Sequence, residues 1–581
     1  MEVMAGLPEL LAAALQPAFD RFEPGSDPVV RPSGRAGVDF QANGAMALAK
    51  RLSQRPSEVA EQIVGWADLQ AVCSSVEVSA QGFINLTLAD SWLAGRVGLH
   101  AGDPRLGVVP APRAMTVVVD YSHPNVAKEM HVGHLRTTVI GDALCRLLSF
   151  AGHTVVRENH IGDWGTPFGM LIEHLLDIGE EEAAHELSVG DLDSFYRASR
   201  AAFDASPEFQ ERARHRVVLL QSGDPETLRL WQVLVDQSVA YFQAVYERLD
   251  VLLQPSDVVG ESSYNDLLPV VVQELDERGL LVVSDGARCV FPEGFVNRDG
   301  TPLPLIVQKS DGGFGYAATD LAALRDRFGR LAADLALYVV GAPQAQHLAM
   351  CFAVAEAAGY LPSAEQAVHV PFGNMLGADR KMFKTRAGAT VKLGDLLDEA
   401  VVRASAAVAE RSELDAGERA AVARMVGIGA LKYADLSTDR IRDYVFDYDR
   451  MLAFDGNTGP YLQYARVRCL SIFRRASLEI ADFLNGSVEV VISEPPERAL
   501  ALALLGFSAA IDETLATWSP HKLCTYLFDL AGLYTTFFES CPVLKAPSPE
   551  VRDSRLVLCA VTAATLGLGL SVLGIEAPER M

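Results

Sequence analysis

The sequence predicts an α/β domain with a parallel sheet, preceded by a small α+β domain and followed by an all-helical one. Three observations carry that prediction. MTVVVDYS, residues 115–122, is a short β-branched run that gives way to helical spacing after Pro124 and Asn125. Strand and helix patterns then alternate to about residue 395. From 396 onward strand signals nearly vanish, and long Ala-rich stretches such as RASAAVAERSELDAGERAAVARMVGIGALKYADL take over. Alternation of this kind builds a parallel sheet covered by helices.

The elements follow in order. MEVMAGLPELLAAAL has an apolar run but no basic n-region, and reads as a helix rather than a signal. Residues 1–108 mix helical patterns (GAMALAKRLSQ, SEVAEQIVGW) with the strand pattern GFINLTL, and the Gly- and Pro-rich AGDPRLGVVPAPR reads as a linker. Strand candidates in the middle domain, 109–395, are 115–122, 154–158 and 335–340. Leu135, Val139, Ala143 and Leu147 recur at helical spacing after the first of them. Charged helical stretches such as LRLWQVLVDQSVAYFQAVYERL form an insertion over about 181–265. The last domain, 396–581, is a helical bundle; its segment Leu556 to Gly574 carries no charge and touches the length of a membrane span. Its glycines and threonines, and the lack of an aromatic belt, favour a buried helix.

With 581 residues the chain should hold about three or four domains. A net charge of −25 argues against general polyanion binding, but not against local basic patches. Eight scattered cysteines without a CxxC pair fit a reducing compartment and offer no zinc knuckle.

Two motifs carry chemistry. KEMHVGHLRTT, 128–138, places His131 and His134 around Gly133 where the first strand gives way to a helix. Such turns hold ligands in parallel α/β sheets, and a helix start offers free N–H groups to phosphate. Alone, the motif also reads as a turn with two surface histidines. A zinc reading, adding His160, lacks the i, i+4 histidines with a glutamate between them. GADRKMFKTRAG, 377–388, puts Lys381 and Lys384 three apart in a Gly-flanked segment, where two ammoniums could neutralise a polyphosphate; alone, it also reads as an exposed basic loop. Asp120 ends the first strand, Tyr316 and Asp320 share a face at a helix start, and Gln344 follows the strand LALYVV. Singly, each could be a helix cap or a surface polar group. All four sit at or just beyond the ends of α/β elements, where a pocket belongs.

HVGH followed some 250 residues later by KMFKT and a helical tail resembles the class I aminoacyl-tRNA synthetases, with HVGH as their HIGH motif and KMFKT as their KMSKS loop. The resemblance is closer to arginyl-tRNA synthetases. DYSHPNVAKEMHVGHLRTTVIGDAL, NHIGDWGTPFGM, KSDGGFGYAATDLAAL, MFKTRAGATVKLGDLL, DGNTGPYLQYARVR and the terminal GIEAPERM look like that family, in order. With FQANGAMALAK and GFINL the likeness covers nearly the whole chain.

The resemblance implies a Rossmann-like catalytic domain that forms arginyl-adenylate from L-arginine and ATP, the latter with Mg²⁺, and transfers arginine to tRNA. It assigns His131, His134, Lys128, Lys381 and Lys384 to catalysis, with Gly133, Gly162, Asp163 and Met382 also at the ATP. It puts Asp120, Tyr316, Asp320 and Gln344 at the guanidinium and Asn125 at the α-groups. For tRNA it implies Phe40, Gln41 and Asn43 in the N-terminal domain, and Tyr461, Tyr464, Phe538 and Met581 in the helical tail. No protein-held structural metal is expected. A cytoplasmic monomer without membrane contact is. The chain departs from the family pattern at His123, where Ser is usual, at Ala342-Pro343 before Gln344, and in having both Lys128 and Lys384. The rivals are a glutamine or glutamate synthetase, a non-catalytic RNA-binding paralogue and a histidine-ligated metal hydrolase.

Overall fold

The computed structural model describes residues 6–180, 192–377, 379–381, 391–409 and 414–581. They divide into two compact units: Ala111–Ala453 with Val572–Ile575, and Met1–Pro110 with Phe454–Ser571 and Glu576–Met581.

The first unit is built on a four-stranded parallel sheet in the order Ala367–His369, Leu335–Tyr338, Thr116–Asp120, Thr154–Glu158. Val117, Val118 and Val119 are all fully buried, which is why the strand reads as an unbroken apolar run rather than an alternating one. Val119 lies opposite Leu337 on one side and Arg157 on the other, so the carboxyl ends of these strands are level. Helix Val132–Phe150 makes the crossover from Thr116–Asp120 to Thr154–Glu158, and the predicted face of Leu135, Val139, Ala143 and Leu147 is buried. The three predicted strands are central or adjacent in this sheet. The fourth is only Ala-Val-His, too short to show a pattern.

The predicted insertion contains helices Leu192–Ala205, Pro207–Gln221 and Pro225–Leu249. Ser206 and Asp224 start the second and third by accepting the N–H of Phe209 and Thr227. An antiparallel three-stranded sheet follows, Val282–Ser284, Ala287–Val290 and Leu305–Gln308, which the sequence reading did not contain. Its first hairpin turns on Asp285-Gly286, with φ of 50° and 80°, a two-residue turn that needs positive φ at both positions.

The expected domain boundary at 396 falls inside helix Leu393–Ala409, which belongs to this first unit together with Ala416–Leu436. The two helices pack backbone to backbone at Gly427, where a Cβ would lie 2.8 Å from the carbonyl oxygen of Ala400.

In the second unit, an antiparallel sheet ordered Val30–Pro32, Phe40–Ala42, Ile84–Leu88, Cys73–Val78 shares one compact body with the helices that run from Gly459–Ala476 to Pro549–Val572. Arg498 forks onto both oxygens of Asp39 at 3.0 and 2.7 Å and donates to Asp90 at 2.7 Å. Helix Pro549–Val572 is long and apolar enough to cross a membrane, but 78% of its most apolar window is buried inside the protein. Thr562 and Thr565 satisfy their hydroxyls on the helix's own carbonyls, and Arg555 pairs with buried Glu497 at 2.7 Å.

Candidate active site

After Asp120 the chain enters left-handed conformations at three non-glycine residues, Ser122 (φ 82°), His123 (φ 54°) and Ala127 (φ 58°). Each costs on the order of 1–3 kcal/mol and persists only where surroundings enforce it. They do. The Ser122 hydroxyl meets Tyr246 Oη at 2.7 Å and accepts from Thr138 at 2.9 Å, while its N–H donates to Thr137 Oγ1 at 3.0 Å. Asn159 accepts the His123 N–H and donates to the same Tyr246 hydroxyl at 3.0 Å. Ser238 Oγ accepts the N–H of Ala127 at 3.0 Å. Tyr246 and Ser238 lie on the insertion helix Pro225–Leu249, so the insertion holds the loop in its strained form.

The loop delivers His131 to the N-cap of helix Val132–Phe150. His131 Nδ1 accepts the N–H of Gly133 at 3.0 Å, and His134 Nδ1 accepts the N–H of His131 at 3.0 Å. The rings lie 4.0 Å apart. Burial lowers the pKa of both: that of His134 falls to about 3, helped by His131 and His123, and for His131 nearby Asp193 opposes the shift and Lys128 adds to it. Both rings are therefore neutral at pH 7. A neutral ring that accepts through Nδ1 carries its proton on Nε2, so both present an N–H donor at the helix start. The histidines are thus a reciprocal helix cap as well as a donor pair. Lys128 lies with Nζ 4.6 Å from the centre of the Tyr196 ring.

Carboxylates gather at the strand ends. Fully buried Arg327 donates to Asp120 Oδ2 and Glu158 Oε2, both at 2.7 Å, and lies 4.8 Å from the centre of the Tyr338 ring. Burial pushes the Asp120 carboxyl up, but Arg327, His123 and His160 outweigh it and hold it below the ordinary range. Its other oxygen, Oδ1, is buried without a hydrogen-bond partner, 3.4 Å from His123 Nδ1. Asp320, on helix Tyr316–Gly329, keeps a partly exposed carboxylate whose Oδ2 lies 2.6 Å from His347 Nε2. Glu261 opens the turn Glu261–Leu267; burial, with the like charges of Asp163 and Asp320, pushes its carboxyl up to about 7. One guanidinium, Arg327, thus serves both Asp120 and Glu158, and among the described residues no ion pair reaches Glu261.

Three family models tile the chain: tRNA synthetases class I (R), catalytic domain, over residues 103–448; DALR anticodon binding domain over 462–581; and Arginyl tRNA synthetase N terminal domain over 6–88. The arginine–tRNA ligase of Thermobifida fusca is 57% identical over 98% of both chains. The chain belongs to the arginine–tRNA ligase family. The ligase of Escherichia fergusonii is 50% identical over 96% of both chains. The crystal structure of arginyl-tRNA synthetase from Plasmodium falciparum superposes with a TM-score of 0.85 at 29% identity over the whole of both chains. That of Thermus thermophilus gives 0.81 at 26%, covering 99% of this chain and all of its own.

The expected site residues divide. Lys128, His131, Gly133, His134, Asn125 and Gly162 come together at the strand-to-helix turn, where Val126 donates to the Gly162 carbonyl at 3.0 Å and Gly162 to that of Pro124 at 3.1 Å. A Cβ at Gly162 would run into Asn125 Oδ1, so any larger residue there would have to displace the Asn125 side chain. Tyr316, 77% exposed, and exposed Gln344 begin the helices on either side of strand Leu335–Tyr338. Lys381 is exposed; Met382 and Lys384 lie outside the described residues.

Asp163 departs from the expectation of an open nucleotide contact: its buried carboxylate receives the N–H and hydroxyl of Ser262 at 2.8 and 2.6 Å, and its carbonyl receives Trp231 Nε1 at 2.7 Å. Asp120 is corrected in part, since one oxygen already holds the guanidinium of Arg327. Phe40 is 6% exposed, opposite Leu86 in the N-terminal sheet, and cannot stack on a base. Gln41 spends its amide on Asn85 at 2.7 Å, and Asn43 precedes helix Gly44–Leu52 with a buried, unpartnered Oδ1. Tyr464 is 41% exposed, whereas Tyr461 packs on Phe528 and Phe538 lies under Arg468, 4.9 Å from its guanidinium carbon. Met581 is partly exposed.

Glu261 and His347 were not foreseen. GESSYN gives no periodic signal for Glu261, whose raised pKa comes from burial and from the nearby charges of Asp163 and Asp320. His347 did leave one: it follows Gln344 by three residues at a helix start. Among the described residues the tightest set of metal-type donors is Asp320, His347 and Cys351, within 4.8 Å of one another, and not the histidines of the turn.

Proposed function

We propose that the chain activates L-arginine with ATP to arginyl-adenylate and passes the arginyl group to the 3′-terminal adenosine of its tRNA, releasing pyrophosphate and AMP. The observation that carries the arginine pocket is the partly exposed Asp320 carboxylate with the Glu261 carboxyl close enough to feel its charge, a pair that calls for a cation. The substrate guanidinium supplies it, bridging Asp320 and Glu261 with Tyr316 and Gln344 at the rim. Asp120 contributes through Oδ1 and through the field of its Arg327 pair. Asn125, carried beside Gly162, receives the α-groups.

The Nε2–H groups of His131 and His134 point the way for the triphosphate, and Gly133 lets adenosine approach the backbone. Lys128, Lys381 and Lys384 take up the charge that moves onto pyrophosphate. Little covalent chemistry falls to the protein; rate comes from position and from charge stabilised as it develops. ATP enters with Mg²⁺. Imidazole N–H and ammonium groups are donors rather than ligands, so the phosphates hold the ion. On the tRNA, Gln41 and Asn43 face the body of the molecule, and Tyr464, the most exposed of the helical-tail aromatics, stacks on an unpaired base, with Tyr461, Phe538 and Met581 beside it. The protein acts as a cytoplasmic monomer, free of membrane.

Charging of total tRNA with each amino acid tests the reading. Arginine alone should be incorporated, and arginine-dependent ATP–pyrophosphate exchange should stay near background until tRNA is added. Incorporation of glutamine or glutamate instead, or full exchange without tRNA, would overturn it.

A further inference from the structure

Asp320 is a short side chain with a soft final torsion, and a bidentate grip on a guanidinium needs its carboxylate plane held within about 10–20°. Something must set that plane before substrate arrives. The candidate is His347, on helix Ala345–Ala357. Its Nε2 lies 2.6 Å from Asp320 Oδ2, and no hydrogen bond among the described residues reaches Oδ1. Cys351, one turn further along the same helix and fully buried, places its Sγ 3.6 Å from the same nitrogen and closes the far side.

The pair is poorly placed to serve the fold. Both side chains are partly exposed, 31% for His347 and 26% for Asp320, and pairs in such settings contribute little to stability. A metal is also poorly served by these three donors. His347 Nε2 is already engaged by Asp320 Oδ2, and burial pushes the Cys351 thiol well above its ordinary range, so a cation would have to displace that contact and expel the thiol proton.

We propose that His347 is a positioning residue, whose Nε2–H holds Asp320 Oδ2 so that Oδ1 is presented to the guanidinium of the substrate. This rests on the reading that Asp320 is a guanidinium partner. It assigns helix Ala345–Ala357 two jobs at the pocket: Gln344 at its start, and the orientation of a carboxylate on the neighbouring helix through His347.

Steady-state aminoacylation by the full-length enzyme tests it with three substitutions. The amide nitrogen of glutamine falls near the position of Nε2, and that of asparagine near Nδ1. His347→Ala should raise KM for arginine about tenfold, leaving kcat and KM for ATP within twofold. His347→Gln should restore KM to within threefold of wild type, and His347→Asn should not. In an Asp320→Asn background, His347→Ala should add no further loss. An arginine KM within twofold of wild type in His347→Ala, or equal behaviour of the Gln and Asn variants, overturns the proposal. If His347→Ala does not fold, the contrast between Gln and Asn decides. If Asp320→Asn itself leaves arginine kinetics unchanged, the underlying pocket assignment has failed instead; a damaged Asp320→Asn with an indifferent His347→Ala sinks only the role of the histidine.

Discussion

Asp320 and Glu261 are two acids on neighbouring elements, and one substitution at each separates charge from shape. Asp320→Asn should depress kcat/KM for arginine by the equivalent of ~2–5 kcal/mol, with melting temperature and tRNA affinity nearly unchanged. A change below about threefold would leave the guanidinium to other groups. Glu261 has a sign that can be worked out. Its folded pKa, about 7, lies above its ordinary 4.5, so the free protein prefers it protonated, whereas a guanidinium binds the ionised form. Below about pH 7, kcat/KM for arginine should therefore fall, by up to about tenfold per unit. Protonation of His347, whose pKa Asp320 raises, adds to the same limb. Glu261→Gln should flatten that limb and lower kcat/KM at pH 8. It should also raise the melting temperature of the free protein at pH 8, on the order of 1 °C, because an ionised half-buried carboxylate has been removed. Thermal unfolding at pH 8 that shows Glu261→Gln less stable than wild type would contradict the assignment.

At the scale of elements, the turn after Asp120 depends on a helix more than one hundred residues away. Tyr246→Phe removes one hydroxyl and takes one hydrogen bond each from Ser122 and Asn159, so it should cost about 1–3 kcal/mol of stability and reduce turnover although Tyr246 is buried beneath the loop. Turnover and stability both at wild-type level in Tyr246→Phe would mean the loop holds itself. None of this wiring is legible from spacing, because Ser122, Asn159 and Tyr246 meet only in three dimensions. The core strands were legible, since Val117 to Val119 are buried on both faces and the sequence has to be apolar throughout. The antiparallel sheet was legible in principle from Asp285-Gly286, but its strands of three or four residues are too short to carry an alternation. For the candidate site, the positions at strand and helix ends could be read from the chain, while orientation could not. Asp163 follows Gly162 directly yet turns inward onto Ser262, and Phe40 starts a polar-looking stretch yet is a buried residue within the N-terminal sheet.

Across the molecule, the second unit joins chain ends hundreds of residues apart through a few charged forks. Arg498→Ala, which frees Asp39 and Asp90 together, should lower stability by about 1–3 kcal/mol and speed limited proteolysis near the N-terminus, with arginine KM unchanged. A cleavage rate equal to wild type would show the junction to be held by apolar packing alone. The intact protein should fractionate with the soluble pool without detergent, since the apolar face of helix Pro549–Val572 is already covered; recovery in washed membranes would reverse that reading. One further property belongs to the molecule as a producer of its own raw material. Every copy is translated with arginine that a ligase of this family has attached, and one of those arginines, Arg327, is sealed in the core beneath the substrate pocket, forked between Asp120 and Glu158. A lysine delivered there in error has no second arm to reach both acids, and an analogue of weaker basicity surrenders its charge in that setting. Mischarging therefore comes back on the machine that commits it: lapses in selecting the guanidinium are built, a generation of protein later, into the wall that does the selecting.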